Sequence, residues 1–165
     1  MTVSERGRIG SVSRSLLPEA ALVLERALRG TAYLAGALDA LRSAAHAPGA
    51  DARAFASTTG DRIDGVTVFG IFGGTSGAGR LHLVAVESDA RRARRGAALV
   101  DAAAAELRNA GARFVLAELP DDPRALPGAR EFLEALGFRQ ESRIDDFYRE
   151  GIALSFMRRE LRPLP

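Results

Sequence analysis

The segment that most constrains the fold of this chain spans residues 86–100 and reads VESDARRARRGAALV. An apolar strand ending at Val86 leads into an arginine-rich turn, and the turn opens directly onto an alanine-rich helix. The first N–H groups of such a helix have no partner within the helix and carry the positive end of its dipole, so they face any anion held in the turn. The segment therefore predicts a strand–turn–helix unit with a phosphate site at the junction.

Known glycine-rich phosphate motifs do not account for this site. Neither G-x-G-x-x-G nor G-x-x-x-x-G-K-[ST] occurs, and the chain contains no lysine. The glycine-rich residues 73–79 precede a strand, which favours a hairpin turn over a phosphate loop. The arginine cluster has a simpler interpretation as a solvated helix start. Its context favours anion binding, because cations at a helix N-terminus oppose the dipole unless an anion is bound. The cluster consists of Arg91, Arg92, Arg94 and Arg95.

Hydrophobic periodicity predicts a mixed order of helices and strands. Apolar residues recur at helical spacing in two segments near the N-terminus, and shorter apolar segments bounded by turn residues follow. The expected helices cover residues 17–30, 33–45, 96–110 and 128–136, and the expected strands cover residues 53–58, 65–73, 80–87, 113–119, 139–144 and 152–158. The first three strands predict an antiparallel meander. The helix between strands 80–87 and 113–119 is a crossover, which implies that these two strands are parallel.

Composition limits the class of protein and its chemistry. With 165 residues, 47% of them hydrophobic, the chain can bury its own core, and we expect one domain over residues 1–165. Residues 1–12 are expected to be a weakly ordered arm that ends in a short strand over residues 8–13. The lack of cysteine excludes disulfides, thiolate metal sites and thiol catalysis, and we expect no metal site.

Two further features bear on location and origin. The N-terminus lacks the apolar core of a signal peptide, and Pro18 and Glu19 interrupt the apolar residues 16–24. We therefore expect a cytoplasmic protein with no membrane contact. Arginine as the only long basic side chain, together with abundant alanine, is typical of a GC-rich bacterial genome.

The pI of about 9.9 suggests nucleic acid as a partner, but the charge pattern does not. The formal net charge is only +2, and acidic residues are interspersed among the arginines. The chain also lacks the basic stripe with interleaved aromatic residues that single-strand binding would use. We expect no nucleic-acid partner, and an arginine-rich nucleic-acid module is the weakest of three hypotheses.

Residues 86–100 resemble the acyl-CoA signature of the GCN5-related N-acetyltransferase (GNAT) family, V-x-P-x-x-[QR]-x-x-G-x-[GA]-x-x-L-[LV]. The matching positions are Val86, Arg91, Gly96, Leu99 and Val100. Ser88 replaces the proline, and Arg94 replaces the first glycine. Because glycine tolerates positive φ and arginine does not, we expect Arg94 to be accommodated only with a negative φ.

The last third of the chain resembles the same family. Residues 132–138 (FLEALGF) are similar to F-Y-E-x-x-G-F, and residues 143–148 and 153–161 are similar to an R-I-x-D-[FY]-Y … Y-x-K-x-L ending. The resemblance extends over roughly residues 14–160. It implies an α/β (α+β) fold with an N-terminal helix pair, an antiparallel meander, a splayed parallel strand pair and a C-terminal hairpin around one mixed sheet.

The activity that this resemblance implies is transfer of an acetyl group from acetyl-CoA to an amine. The strand backbone would pair with the pantetheine amides and polarise the thioester carbonyl, while N–H groups of the turn bind the pyrophosphate. Arg91 would pack the turn, and a side chain placed at Gly96 would project toward the pyrophosphate. The implied cofactor-binding residues are Val84, Ala85, Val86, Arg91, Arg92, Ala93, Arg94, Arg95, Gly96 and Ala97.

Two departures from the family pattern leave the catalytic acid open. Many family members have a tyrosine four residues before the Gly-Phe pair and an asparagine seven residues earlier, where this chain has Leu133 and Leu126. Neither leucine can donate a proton. Another residue then serves as the acid, or the thiolate leaves without one, or the chain binds CoA without catalysis.

Three polar residues are candidates for the proton transfers: His82, Glu118 and Tyr148. Strand alternation would place His82 on the face of Val84 and Val86, where its pKa suits a general base. The alternative is a partly exposed strand histidine. Glu118 lies in an otherwise apolar strand, so its carboxylate must face a cavity, an arginine or the substrate. Tyr148, in the loop before the last strand, is a candidate acid or a packing residue.

The leading hypothesis is an acyltransferase that acetylates an amine of a small molecule or an amino terminus, with acetyl-CoA as co-substrate. The second is a catalytically silent acyl-CoA-binding or sensor domain of the same fold. The acceptor pocket would be lined by the two N-terminal helices, residues 120–127 and the final hairpin. A homodimer is expected from the family resemblance alone.

Overall fold

A computed structural model describes residues 7–161 of the chain. The strands are β1 (Arg8–Ser11), β2 (Arg53–Thr59), β3 (Arg62–Ile71), β4 (Ala78–Val86), β5 (Phe114–Pro120), β6 (Arg139–Arg149) and β7 (Ile152–Glu160), and the helices are α1 (Leu17–Ala27), α2 (Leu34–His46), α3 (Arg95–Asn109) and α4 (Ala129–Ala135). Within the described range, no helix has both the length and the apolar character needed to cross a membrane.

All seven described strands form one mixed sheet in the order β1-β2-β3-β4-β5-β7-β6. The β4–β5 pair is parallel, as the helical crossover predicts, and the other neighbouring pairs are antiparallel. The helix pair, meander and C-terminal hairpin are also present, so the predicted α/β (α+β) architecture is confirmed.

Helices cover both faces of the sheet and build a core on each. On the face that we call the α3 face, Val100 and Leu107 of α3 pack with Leu133 of α4 and with Phe138 and Met157. On the opposite face, which we call the α2 face, side chains of α1 and α2 pack against β3. The principal contributors there are Val23, Leu24, Leu41, Val66 and Val68.

The parallel strands β4 and β5 are joined only at their starts. Their pairing runs from Ala78 opposite Phe114 to Leu81 opposite Ala117, although β4 continues to Val86 and β5 to Pro120. The two strands therefore separate beyond this point, which we call the splay point. Backbone groups on the facing edges are left without a ladder there, so a ligand can pair with them.

A β-bulge lies in β4 directly at the splay point. Phe69 of β3 pairs with Leu81 and the next residue back along β3, Val68, pairs with Leu83, so His82 is the extra residue. A bulge of this kind interrupts the alternation of side chains along the strand and redirects the residues that follow it.

The N-terminal arm differs from the sequence-based expectation. Residues 8–11 form β1, which pairs with β2 along the edge of the sheet, and the Val12 N–H donates to Ala54 O at 2.9 Å. The short strand is confirmed, but residues 8–12 are not a weakly ordered arm, because their backbone hydrogen bonds are made to β2. Residues 1–6 of the expected arm lie outside the described residues.

Candidate functional site

The junction between β4 and α3 presents backbone donors at the helix N-terminus. A 3₁₀ turn over Arg91–Ala93 leads into α3, and no side chain caps the helix start. The first helical hydrogen bond runs from the Ala98 N–H to Arg94 O at 3.1 Å. The N–H groups of Arg95, Gly96 and Ala97 precede it, so they point along the helix axis toward the turn.

Arg94 adopts the left-handed conformation, with φ 57° and ψ 28°. The expectation of a negative φ is therefore wrong. The side chain is exposed, and the residue joins the end of the 3₁₀ turn to the start of α3. The backbone thus keeps the conformation that favours glycine although arginine occupies the position.

The side chains of Arg91 and Arg95 turn back toward the protein. Arg91 Nε donates to Val86 O at 3.3 Å, which ties the turn to the end of β4. Arg95 Nε lies 3.5 Å from Oδ2 of Asp64, and Arg95 Nη2 donates to Thr59 Oγ1 at 3.0 Å. The Arg95 guanidinium thus stabilises a buried carboxylate, and its backbone N–H faces the junction.

Asp64 is the anchor of this cluster and is only 1% exposed. Its carboxylate accepts hydrogen bonds from Ser57 Oγ at 2.5 Å and from Thr59 Oγ1 at 2.6 Å. A buried carboxylate needs such partners, since its desolvation is otherwise costly. The cluster therefore fixes the start of α3 against β2 and β3.

Gly96 has a packing role that the sequence did not reveal. A Cβ added there would lie 3.1 Å from two ring atoms of Phe132 and 3.4 Å from Val86 Cγ2. The expectation that a side chain at Gly96 projects toward the pyrophosphate is therefore wrong, because it would enter the contact between α3, α4 and β4. Val84 packs on the α3 face beside Val86, whereas Ala85 belongs to the α2 face.

Arg80 and Glu118 face one another across the splay point. Arg80 Nη2 lies 2.9 Å from Glu118 Oε1, and both side chains are about one-third exposed, at 31% and 29%. Of the three surroundings expected for Glu118, the structure shows an arginine. Because Glu118 is the first residue of β5 beyond the paired segment, its carboxylate lies where the strands separate.

His82 lies on a different face from the one predicted. It lines a cavity of about 360 Å³ together with Ser43 of α2 and Val68, which belongs to the α2-face core, whereas Val84 and Val86 pack on the α3 face. The bulge at His82 breaks the alternation on which the expectation rested.

Burial lowers the pKa of His82, and the nearby Arg80 lowers it further, while Glu118 and Asp51 act in the opposite direction. The imidazole is therefore neutral at neutral pH. A neutral imidazole can accept a proton, as a general base must.

Tyr148 lies within β6 rather than in a loop. The β6–β7 register shifts between Ile144 and Arg149, and Asp146 takes φ 52°, so the strand bulges outward before it pairs again at Arg149. This irregularity explains why the sequence resembles a loop. Burial raises the pKa of the Tyr148 hydroxyl, with a further rise from Glu118 and an opposing effect of Arg80.

The structure thus brings the three predicted catalytic residues to one region. His82 and Tyr148 both interact electrostatically with Glu118 and Arg80 at the splay point. Tyr148 also packs edge-on against Tyr33, with ring centroids 5.7 Å apart. The region therefore holds a neutral imidazole, an ion pair and a protonated phenol.

Asp122, the second residue after β5, is a structural residue of the site that the sequence did not reveal. Its Oδ2 accepts hydrogen bonds from the Tyr33 hydroxyl at 2.9 Å and from Arg149 Nη2 at 2.8 Å. Burial raises its pKa, but hydrogen bonds from the Ala125 N–H, Tyr33 and Arg149 outweigh burial and hold the pKa below its usual value. Burial and this hydrogen bond raise the pKa of Tyr33 to about 12. Asp122 thereby joins the α1–α2 loop to the final hairpin.

Asp121 joins α4 to both strands of the final hairpin. It accepts hydrogen bonds from Arg130 of α4, Arg143 of β6 and Ser155 of β7. Burial raises its pKa, but these contacts together hold the pKa below its usual value. These long-range partners explain why the sequence gives no local signal for either aspartate beyond two acids after an apolar strand.

Leu133, at the position where the resemblance implies a tyrosine, is 6% exposed and packs in the α3-face core. Its side chain is surrounded by apolar groups and offers no proton. Leu126 follows Asp122 in the β5–α4 loop, where its N–H donates to Asp122 O at 2.8 Å. The acid, if the reaction uses one, must come from elsewhere in the site.

Comparison with protein-family models and with curated protein sequences finds no match. Solved structures match over nearly the whole chain. A protein assigned to the GNAT family of acetyltransferases, from Desulfovibrio desulfuricans, has a TM-score of 0.80 at 23% identity, with 94% of this chain and 99% of that chain covered.

Two further structures are similar. An aminoglycoside 6'-N-acetyltransferase solved with coenzyme A has a TM-score of 0.79 at 17% identity, covering 96% of this chain and 99% of that chain. The ribosomal-protein-S18-alanine N-acetyltransferase from Escherichia coli has a TM-score of 0.74 at 18% identity, covering 96% of each chain. At these identities the likeness is one of fold. This chain has the fold of the GNAT acetyltransferases.

Proposed function

We propose that this chain is an acetyl-CoA-dependent N-acetyltransferase that acts on an amine of a small molecule or an amino terminus. The observation that carries the proposal is the arrangement at the splay point. Two parallel strands separate there, and a helix N-terminus lies at the end of β4. Glu118 lies at the opening, and His82 and Tyr148 are close enough to Glu118 and Arg80 to interact with them electrostatically. The fold shared with known acetyltransferases supports the same assignment.

Acetyl-CoA would bind with its pyrophosphate at the start of α3. The N–H groups of Arg95, Gly96 and Ala97 supply donors for the phosphate oxygens, and the helix dipole favours their negative charge. The exposed guanidinium of Arg94 adds positive charge beside them. The pantetheine arm would then run along the unpaired edge of β4 near Val84, which leads the thioester to the splay point.

His82 is the base in this proposal. The acceptor reaches the site as an ammonium ion, and a proton must leave its nitrogen before the lone pair can attack the thioester carbonyl carbon. The neutral imidazole of His82 accepts that proton, directly or through water. Glu118 is the second candidate, but its carboxylate is already paired with Arg80 Nη2 at 2.9 Å.

Tyr148 is the proposed acid. Attack by the neutral amine forms the new C–N bond, and the nitrogen then loses its second proton to solvent. Collapse of the intermediate breaks the C–S bond and releases the CoA thiolate. The raised pKa of Tyr148 keeps its hydroxyl protonated, so it can donate to this thiolate. A thiol of pKa about 8.5 is a good leaving group, so the contribution of the acid is modest.

Three further statements stand as proposals from the sequence: residues 1–165 form one domain, the protein works in the cytoplasm, and two copies associate.

For the homodimer, the supporting feature is β6, an edge strand that exposes Ile144 and Phe147. A second copy covering this strand would remove apolar surface from water. Sedimentation at micromolar concentration tests it, and a monomer at all concentrations would contradict it.

Thiol release from acetyl-CoA tests the proposed activity. Because the chain has no cysteine, every thiol detected by a chromogenic disulfide belongs to released CoA. Acetyl-CoA is mixed with a panel of diamines, amino acids, aminoglycosides and peptides, and we expect thiol release that depends on one class of amine. Tight acetyl-CoA binding without amine-dependent release across the panel would instead identify a silent acyl-CoA-binding domain.

A further inference from the structure

We propose that the cavity beside His82 on the α2 face holds the acceptor, and that Asp51 selects acceptors that carry a second cationic group. This inference rests on the proposed function and adds a substrate class to it. The cavity, the unpaired Asp51 carboxylate and the position of His82 carry the argument.

The cavity has a volume of about 360 Å³ and opens between α2, the α2–β2 loop and the β3–β4 hairpin. The residues that matter for its chemistry are Ala40, Ser43, Asp51, Phe72, Arg80 and His82. Pockets for small ligands have volumes of roughly 300–1,000 Å³, so this one suits a small molecule rather than a folded partner. His82 connects the cavity to the splay point, where the thioester would lie.

The charges around the cavity favour a cation. Arg80 forms an ion pair with Glu118, in which Nη2 lies 2.9 Å from Oε1. The guanidinium carbon of Arg80 also lies over the ring of Phe72, 5.2 Å from the ring centroid. The positive charge of Arg80 is thus paired with Glu118, while its buried Nε has no hydrogen-bond partner within residues 7–161. Asp51 makes no ion pair or side-chain hydrogen bond within residues 7–161, so its carboxylate is the negative group left for a ligand. An ammonium ion would pair with it.

The position of Asp51 is set by the fold. A Cβ on Gly70 of β3 would lie 2.0 Å from the Asp51 carbonyl oxygen, so only glycine allows this approach. The Ile71 N–H also donates to Ala50 O at 2.7 Å. These contacts hold the backbone of Asp51 against β3, at the edge of the cavity that this residue lines.

Together these features define the acceptor. One amine of the acceptor reaches His82 and loses its proton there, while a second cationic group at the other end pairs with Asp51. A short aliphatic diamine has this form. A monoamine of the same length would occupy the cavity without the second contact, so the two ligands differ in the interaction under test.

The test measures the binding of 1,4-diaminobutane and of n-butylamine in the presence of CoA. Binding is monitored by NMR through the ring resonances of the two histidines. His46, exposed at the end of α2, serves as an internal control. We expect the diamine to shift the His82 resonances and not those of His46, and to bind about tenfold more tightly than the monoamine. Equal affinity for the two ligands, or no response at His82, would overturn the inference.

Asp51→Asn isolates the proposed contact, and Asp39→Asn is its matched control. Asp39 is 77% exposed on α2 and pairs with Arg42, so its loss changes the net charge equally without touching the cavity. We expect Asp51→Asn to weaken diamine binding about tenfold and leave n-butylamine unchanged. Asp39→Asn should leave both unchanged, and equal weakening in the two variants would contradict a local role for Asp51.

A blocking variant gives an independent readout. Because the chain has no cysteine, Ser43→Cys can be labelled selectively with a bulky maleimide, with Asp39→Cys as the control. The label at position 43 should abolish diamine binding and leave CoA affinity unchanged. Unchanged diamine binding would overturn the inference. Diamine binding without acetyl transfer, by contrast, would contradict the proposed function and leave the cation site supported.

Discussion

Arg80 and Glu118 form an ion pair, with Nη2 and Oε1 2.9 Å apart, at the point where β4 and β5 cease to pair. The pair sets opposing electrostatic effects on His82, because the guanidinium lowers its pKa and the carboxylate raises it. Burial is the largest effect and lowers the pKa. Substitutions of Glu118 and Arg80 should therefore shift the pKa of His82, the proposed base, in opposite directions.

The first prediction concerns pH dependence. Lowering the pH should protonate His82 and reduce kcat, with a midpoint below the ordinary pKa of histidine because burial and Arg80 both lower it. Glu118→Gln removes a group that raises this pKa, so the midpoint should move further down. Arg80→Gln removes a group that lowers it, so the midpoint should move up.

The measurement is kcat against pH, together with an NMR titration of His82. Asp51 also faces His82 and raises its pKa, so its carboxylate is left intact in both variants. Midpoints that move in the same direction in Glu118→Gln and Arg80→Gln, or that do not move, would rule out His82 as the titrating base.

The second prediction concerns the base itself. His82→Ala should lower kcat by about 10²- to 10⁴-fold, the usual contribution of a general base, with little change in acetyl-CoA affinity. His46→Ala is the control, since His46 is exposed at the end of α2 and is not among the residues that line the cavity beside His82. Steady-state kinetics and calorimetry measure the two quantities, and full activity in His82→Ala would leave water or Glu118 as the base.

The third prediction concerns the acid. Tyr148→Phe removes only the hydroxyl, and the ring contact with Tyr33 can persist. We expect kcat to fall toward the lower end of the range of about 10²- to 10⁴-fold, because the CoA thiolate is a good leaving group. A wild-type kcat would exclude Tyr148 from the proton transfer.

The fourth prediction concerns strain at Arg94. A non-glycine residue with φ 57° is held at a cost of about 1–2 kcal/mol, whereas glycine adds about 0.5–1 kcal/mol of chain entropy to the unfolded state. Arg94→Gly should therefore raise the free energy of unfolding by up to about 1.5 kcal/mol. The neighbouring Ala93→Gly is the control, since Ala93 has no positive φ to relieve and should be destabilised.

Thermal and denaturant unfolding measure this difference. If Arg94→Gly and Ala93→Gly destabilise the protein equally, the left-handed conformation is not a source of strain.

The fold was predictable because its signals are local. The switch from helical to strand periodicity gives the element order, and the crossover helix α3 implies the parallel β4–β5 pair. Positions within the site depended on longer-range effects. The bulge that moves His82 to the α2 face arises from pairing with β3, so the sequence of β4 alone does not indicate it.

The aspartates after β5 show the same limit. Asp122 bonds to Tyr33 and Arg149, which are 89 and 27 residues away in sequence, so no local pattern identifies these partners. Gly96 was recognised from its motif, yet the reason for glycine there is contact with Phe132 of α4. The sequence thus identified Gly96 as a site residue, but the contacts that require glycine there became visible only in the structure.

The most direct test of the account is acetyl-CoA binding to Ala97→Asp, measured by calorimetry. A carboxylate in the first turn of α3 favours the helix dipole by about 0.3–1 kcal/mol, so the fold should not weaken. The same carboxylate repels a pyrophosphate, and we expect acetyl-CoA affinity to fall about tenfold or more, or by at least about 1.4 kcal/mol. Ala105→Asp, exposed in the middle of α3, should bind acetyl-CoA as the wild type does. Wild-type affinity in a folded Ala97→Asp protein would contradict the placement of acetyl-CoA at this helix.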